Sequence, residues 1–203
     1  MLRVLPWVTD GAIDFLDTFI SERRKMGFTT KVFEFGSGNS TLYFLSKGCF
    51  VTSVEHDANW AKKIIDTAYA FDYQDRLKMI KSERPYDDCY EDEDISITVI
   101  DGRDRVMCFE RVLSKIKNRK QIIVLDNTER MDYKYSEYIS LIKRYGFNSI
   151  HFEQHQLEHE GRRFTTRSYA RDRVYHRHIT TICFLEGMYT TDGKALLRDS
   201  LWD

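Results

Sequence analysis

Apolar residues recur along this chain in two alternating periods. Ile13, Leu16, Phe19 and Ile20 share one face of a helix that Thr9 or Asp10 can cap and that runs to about Met26. Lys31 to Phe35 reads as a strand, Ser40 to Ser46 as a helix stopped at Gly48, and Phe50 to Glu55 as a second strand. Asp57 opens a helix through about Phe71, with Trp60, Ile64, Ala68 and Phe71 in period, and Leu77 to Ile80 is a short third strand. Ile95 to Ile100 and Gln121 to Leu125 are apolar nearly throughout, as parallel strands covered on both faces are. Val106, Phe109, Val112, Leu113 and Ile116 form the helix between them; Tyr135, Tyr138, Ile139, Ile142 and Tyr145 form the next, ended by Gly146. Phe147 to Phe152 and Ile179 to Leu185 then read as two closing strands with no full helix between them. The alternation predicts an α/β fold: a doubly wound, mostly parallel Rossmann-like sheet with helices on both faces and an antiparallel C-terminal edge hairpin.

The break after the first strand carries the candidate chemistry. Residues 32–41 read Val-Phe-Glu-Phe-Gly-Ser-Gly-Asn-Ser-Thr, and the second strand ends on Glu55, 19 residues after Gly36. Strand, glycine turn, helix, strand and acid is the geometry of a nucleoside-cofactor site. Gly36 and Gly38 let the backbone pass close to a ligand, and Glu55 can accept both hydroxyls of a ribose. Taken alone, the pattern admits a nicotinamide dinucleotide, with Thr41 as the third small residue, and it also admits acids that merely cap strands. Two details pull away from a pyrophosphate. Glu34 places an acid at the turn, where an ammonium and a sulfonium would be favoured over an anion, and the later apolar strands also end in acids, Asp101 and Asp126. Four acids at strand ends suit S-adenosylmethionine better.

Phe33-Glu34-Phe35-Gly36-Ser37-Gly38-Asn39-Ser40-Thr41-Leu42, followed by Ser53-Val54-Glu55-His56-Asp57 and Trp60, resembles class I S-adenosylmethionine-dependent methyltransferases. The similarity is to an uncharacterised group of them with an E-x-G-S-G-x-S-T-L turn. Ile100 to Arg105, Leu125 to Arg130 and Thr180 to Phe184 resemble later blocks of that group in the same order, so the likeness spans about Trp7 to Phe184. It implies Glu34, Gly36, Ser37 and Gly38 around the methionine end of the cofactor, Asn39 and Ser40 as further cofactor-binding residues, Glu55 at the ribose, His56 at the adenosine edge, and Asp101 both beside the cofactor and at the reacting centre. The activity implied is methyl transfer to an oxygen or nitrogen of a small or conjugated acceptor. The rival readings are an NAD(P)-dependent oxidoreductase on a similar fold and a catalytically silent S-adenosylmethionine-binding module.

Methyl transfer is an in-line displacement, assisted by a base or a metal when the nucleophile is a hydroxyl. Asp101 is the candidate for the base or for a substrate-side role; the bland alternative is a carboxylate bonded to loop amides. Asp101, Asp126 and Asn127 offer three oxygen ligands to a divalent cation and resemble the metal positions of catechol and caffeoyl-CoA type O-methyltransferases. The chain departs from that pattern in Gly102-Arg103-Asp104-Arg105, whose arginines can pair with Asp126 or Glu129 instead, so a metal is not the favoured reading. His176 and His178, two apart on a strand face, are a possible ligand pair, although surface histidines are the simpler account.

Composition narrows the classes. With 203 residues the chain is expected to be one domain over 1–203: an N-terminal helix in 1–30, a cofactor-binding core in 31–146, and closing strands with a basic insertion (155–178) in 147–203. A net charge of −1 gives no whole-protein attraction to nucleic acid or anionic membranes. The segment from His155 to His178 nevertheless carries Arg162, Arg163, Arg167, Arg171, Arg173 and Arg177, interleaved with aromatic residues, so an anionic substrate or nucleic acid is possible there but not favoured over a solvated loop. Asp87 to Asp94, six acids in eight residues, reads as another solvated loop. Cys49, Cys89, Cys108 and Cys183 show no C-x-x-C pairing, no apolar run reaches membrane-spanning length, and no leader is evident. The expected compartment is therefore the cytoplasm, with reduced thiols.

Overall fold

The computed structural model describes residues 5–91, 94–116, 120–130, 135–156 and 176–185. Helix α1 (Asp10–Lys25) precedes β1 (Lys31–Phe35), α2 (Asn39–Ser46), β2 (Phe50–Glu55), α3 (Ala58–Ala70) and β3 (Leu77–Lys81). Then come β4 (Ile97–Ile100), α4 (Arg105–Lys115), β5 (Ile122–Leu125), α5 (Tyr135–Arg144), β6 (Phe147–Gln156) and β7 (His176–Leu185). The strands form one sheet in the order β3-β2-β1-β4-β5-β7-β6. The first five are parallel, and β7 lies antiparallel to both β5 and β6.

Strand parity divides the core. Val32, Val51, Ile97, Val99, Ile122, Val124 and Ile182 face the layer built from α1, α2 and α3. Phe33, Phe35, Val54, Ile100, Ile123, Leu125 and Cys183 face α4 and α5. Successive side chains of a strand point to opposite faces, so strands apolar at nearly every position are what a sheet covered on both sides requires.

The sequence expectation differs from the structure mainly at the end. β6 runs to Gln156 rather than Phe152, and β7 starts at His176 rather than Ile179. Their register, from Phe147 opposite Leu185 to Gln156 opposite His176, continues through polar residues because ladder bonds are made by the backbone, whatever the side chains. All four cysteines are free, and among the described residues no helix is long and apolar enough to cross a membrane.

Candidate functional site

The order β2-β1-β4-β5 places the connections of β1 and β4 on opposite faces of the sheet, and the crevice where they part is where open α/β sheets hold ligands. A cavity of about 560 Å³ lies there, across four strand ends. Glu55, His56, Asp57 and Trp60 line it beyond β2, Gly36 to Ser40 beyond β1, Asp101, Gly102, Arg103 and Arg105 beyond β4, and Asn127 and Arg130 beyond β5; Trp7 and Tyr86 complete the wall. Of the residues assigned from sequence to the cofactor or the reaction, all but Glu34 line it.

Glu55 organises the β2 end. Its Oε2 accepts from the Ser37 amide and hydroxyl, each at 3.0 Å, and its Oε1 accepts from the amides of His56 (2.8 Å) and Asp57 (3.0 Å). His56 Nδ1 also stands 2.9 Å from Oε1. Two carboxylate oxygens offer about four acceptor positions. A ribose hydroxyl bonding to Glu55 must therefore take the place of one of these donors, and the Ser37 hydroxyl on Oε2 and the His56 ring on Oε1 are the two that can rotate away without moving the backbone. Asp57 caps α3, its Oδ1 accepting from the amides of Asn59 (2.9 Å) and Trp60 (3.0 Å). That cap holds Trp60 so that its indole N–H donates to the Ser37 carbonyl at 2.7 Å, tying α3 to the glycine turn.

Glu34 is turned away from the ligand space expected for it. It shares the strand face of Val32, so its side chain passes beneath α2 and is fully buried. The hydroxyls of Ser40 and Thr41 donate to it, as does that of Ser53 at 3.1 Å. Burial pushes its carboxyl up to about 7, against the three hydroxyl bonds that favour the charged form. Thr41 also accepts from the Gly38 amide at 2.9 Å, which links the buried acid to the turn above it. The acid therefore shapes the turn from below.

The two glycines of the turn have different reasons to be glycine. Gly36 has φ +92°, and a Cβ there would stand 2.6 Å from Gly102 Cα and 2.8 Å from Gly102 N. Its close neighbour is thus the β4 turn. Gly38 has an extended φ, and a Cβ there would meet no atom within 4 Å, so its missing side chain leaves open volume in the cavity wall.

At the β4 and β5 ends the charges form a connected group. Arg105, only 6% exposed, donates through Nε to the Gly102 carbonyl (2.9 Å), through one terminal nitrogen to the Asp126 carbonyl, and through the other to the Asp101 carbonyl (2.8 Å) and carboxylate (2.9 Å). The Asp126 carboxylate accepts from the Thr180 hydroxyl at 3.0 Å and faces His178 Nε2 at 3.2 Å, while Asn127 Nδ2 lies 3.1 Å from His178 Nδ1. Burial and the charge of Asp126 push Asp101 upward, more strongly than Arg105 and His178 lower it. For His178, burial works downward but the carboxylates of Asp126, Glu129 and Asp101 outweigh it, and the net shift is up.

This arrangement does not fit the divalent cation considered from Asp101, Asp126 and Asn127. A guanidinium lies between the ends of β4 and β5, Asp126 is turned to Thr180 and His178, and Asn127 is turned to His178. Among the described residues no group of three His, Cys, Asp or Glu side chains stands together to hold an ion. The expected pairing of the 103–105 arginines with the Asp126 or Glu129 carboxylates is also different in detail, since Arg105 pairs with the carboxylate of Asp101 and takes only the carbonyl of Asp126.

Sequence reasoning assigned no role to Trp7, Tyr86, Gly102 or Arg130, and gave Arg103 only a pairing with Asp126 or Glu129. Gly102, Arg103 and Arg130 sit inside motif blocks, but no motif marks them as lining a cavity. Tyr86 was wholly unsignalled: it is 1% exposed, stacks on Phe35 at 6.1 Å, and its hydroxyl accepts from the Arg103 amide. Residues 162–175 of the basic segment, and the side chains of His155, His159, His176 and Arg177, lie outside the described residues.

No family model matches the chain, and no curated protein matches it. Solved structures do. A candidate caffeoyl-CoA O-methyltransferase from Staphylococcus aureus superposes with a TM-score of 0.60 and 13% identity over 88% of this chain and 85% of its own. An rRNA methylase from Streptococcus thermophilus gives 0.59 and 12% over 86% and 96%. A precorrin-6y C5,15-methyltransferase from Geobacter metallireducens gives 0.57 and 12% over 83% and 87%. At such identities the likeness is one of fold, and the chain has the class I methyltransferase fold.

Proposed function

We propose that this protein is an S-adenosylmethionine-dependent methyltransferase acting on an oxygen or nitrogen nucleophile of a small or conjugated acceptor. The observation that carries the reading is the cavity across the β2, β1, β4 and β5 ends, with a buried-side carboxylate at one end and Asp101 at the other. The fold supports it, because the structures it resembles include named methyltransferases.

The residues present fit such a donor. Glu55 accepts the two ribose hydroxyls in exchange for the Ser37 hydroxyl and the His56 ring nitrogen, and Gly38 leaves room above the turn. The donor, when bound, supplies an electrophilic methyl group on a sulfonium. Asp101 does the chain's proton chemistry. Its raised proton affinity brings it toward neutrality, where a carboxylate serves best as acceptor of a proton from a hydroxyl or amine. Arg105 fixes the orientation of that carboxylate through Oδ1. The rest of the rate comes from alignment, which can supply on the order of 7–11 kcal/mol of a displacement barrier.

Equilibrium titration with S-adenosylhomocysteine, with NADH alongside, tests the reading. Wild type should bind S-adenosylhomocysteine, and Glu55→Ala should weaken it by about tenfold or more, the worth of a charge-assisted hydrogen bond. Equal affinity in the two proteins removes the ribose assignment, and tight NADH binding without S-adenosylhomocysteine binding reverses the function.

A further inference from the structure

The short segment leading into α1 places a large apolar side chain on the cavity wall. Trp7 is 50% exposed, yet Pro6, Val8 and Thr9 beside it are buried, Val8 within the core layer of α1, α2 and α3. The Thr9 amide donates to the Thr180 hydroxyl of β7 at 3.0 Å, and that hydroxyl donates to the Asp126 carboxylate beyond β5. Trp7 is thus presented by a segment held on both flanks, and it stands toward the β5 end of the cavity, away from Glu55. The other indole and phenol rings of the wall are committed elsewhere. Trp60 is bonded to the Ser37 carbonyl at 2.7 Å and carries the Lys63 ammonium over its ring at 4.8 Å, while Tyr86 is buried against Phe35. Among the described residues, Trp7 is the one exposed indole of this wall that lies away from the glycine turn. An indole held at the rim of a concave polar site is covered when a ligand with an apolar face fills that site.

We infer that Trp7 selects the methyl acceptor by stacking on a flat conjugated ring that carries the nucleophilic oxygen or nitrogen. The inference rests on the methyltransferase reading and narrows its acceptor to a phenol or an aryl or heteroaryl amine. Offset stacking on the indole fixes the plane of such a ring and leaves its rim to reach Asp101 in the same cavity. A saturated ring of the same size buries similar apolar area but has no π face to stack. In the transfer the lone pair of the ring substituent forms the new bond to the methyl carbon, the carbon–sulfur pair stays with sulfur, and the substituent's proton passes to Asp101. Trp7 takes no part in that proton transfer; it supplies affinity and orientation.

The probes are 2-naphthol and quinolin-6-amine, with decahydro-2-naphthol as the saturated control, each titrated into protein saturated with S-adenosylhomocysteine. Wild type should bind at least one flat probe about tenfold more tightly than the control, and the tighter of the two tells oxygen from nitrogen as the acceptor atom. Trp7→Leu keeps an apolar side chain and should bring flat and saturated rings to within about twofold, whereas Trp7→Phe should keep most of the preference. Both variants should bind S-adenosylhomocysteine as wild type does, which also reports that they are folded. No preference for a flat ring in wild type, or the same preference in Trp7→Leu, overturns the inference. So does a Trp7→Leu protein weakened equally toward S-adenosylhomocysteine, since the indole would then serve the donor. If S-adenosylhomocysteine does not bind to wild type at all, the methyltransferase reading fails, and the ring preference of the protein alone still judges Trp7.

Discussion

Gly36 and Gly102 touch backbone to backbone: a side chain on the first would stand 2.6 Å from the Cα of the second. A Cβ on Gly102 would in turn run into the Tyr86 hydroxyl and stand 2.9 Å from the Phe35 carbonyl. The β1 and β4 turns that frame the cavity are thus mutually supporting. Gly102→Ala should lower unfolding free energy by about 1–3 kcal/mol in denaturant titration, the usual cost of overpacking. Gly36→Ala adds the strain of φ +92° to a similar clash. Gly38→Ala, with open space around it, should stay within about 0.5 kcal/mol of wild type while weakening S-adenosylhomocysteine binding. Equal destabilisation at positions 38 and 102 would contradict this division.

Glu34 should make stability fall as pH rises. Its carboxyl ionises near 4.5 in the unfolded chain but holds its proton to about 7 in the folded one, so between those values the folded state binds more protons and loses ground. The effect is on the order of 3 kcal/mol across the window. Glu34→Gln should flatten the denaturation midpoint between pH 4.5 and 7. An unchanged slope would mean that the acid is not desolvated.

His178 adds a second slope at higher pH. Its folded proton affinity is raised above the unfolded value of 6.5, so the stability it contributes is complete below that value and is lost as pH climbs through the folded one. His178→Gln should remove the decline that begins near pH 6.5 and leave the Glu34 slope in place. Chemical shifts of the His178 ring carbons through the titration check the direction; a midpoint below 6.5 would refute it.

Ser37 and Glu55 should respond unequally. Ser37→Ala removes the hydroxyl that a ribose must displace, and the Ser37 amide keeps its bond to Oε2. Its affinity for S-adenosylhomocysteine should therefore stay within about threefold of wild type, since the net worth of a neutral hydrogen bond is small. A loss as large as that expected for Glu55→Ala would show that the ligand binds Ser37 itself.

Most of the fold can be read from periodicity, because every buried strand must satisfy two apolar layers and the helices between them repeat on one face. Glu55 and Asp101 were equally legible, standing where strands end. What escaped depends on distant backbone. Glu34 lies beneath α2 through strand parity combined with three hydroxyls brought from α2 and β2. Arg105 is buried because four oxygens from the β4 turn and the β5 end surround it, three of them carbonyls that no sequence motif marks. The saturation of Glu55 by main-chain amides is hidden for the same reason.

The insertion of β7 between β5 and β6 bears on biogenesis. Ile122 to Leu125, all buried in the finished sheet, have their outer edge covered only by a strand that comes more than fifty residues later. During synthesis that apolar edge stays open until β7 emerges and turns inward, and an open edge of this kind is a template for pairing with other chains. Truncation after Gly146 should accordingly yield aggregates, with the exposed 122–125 edge as their seed.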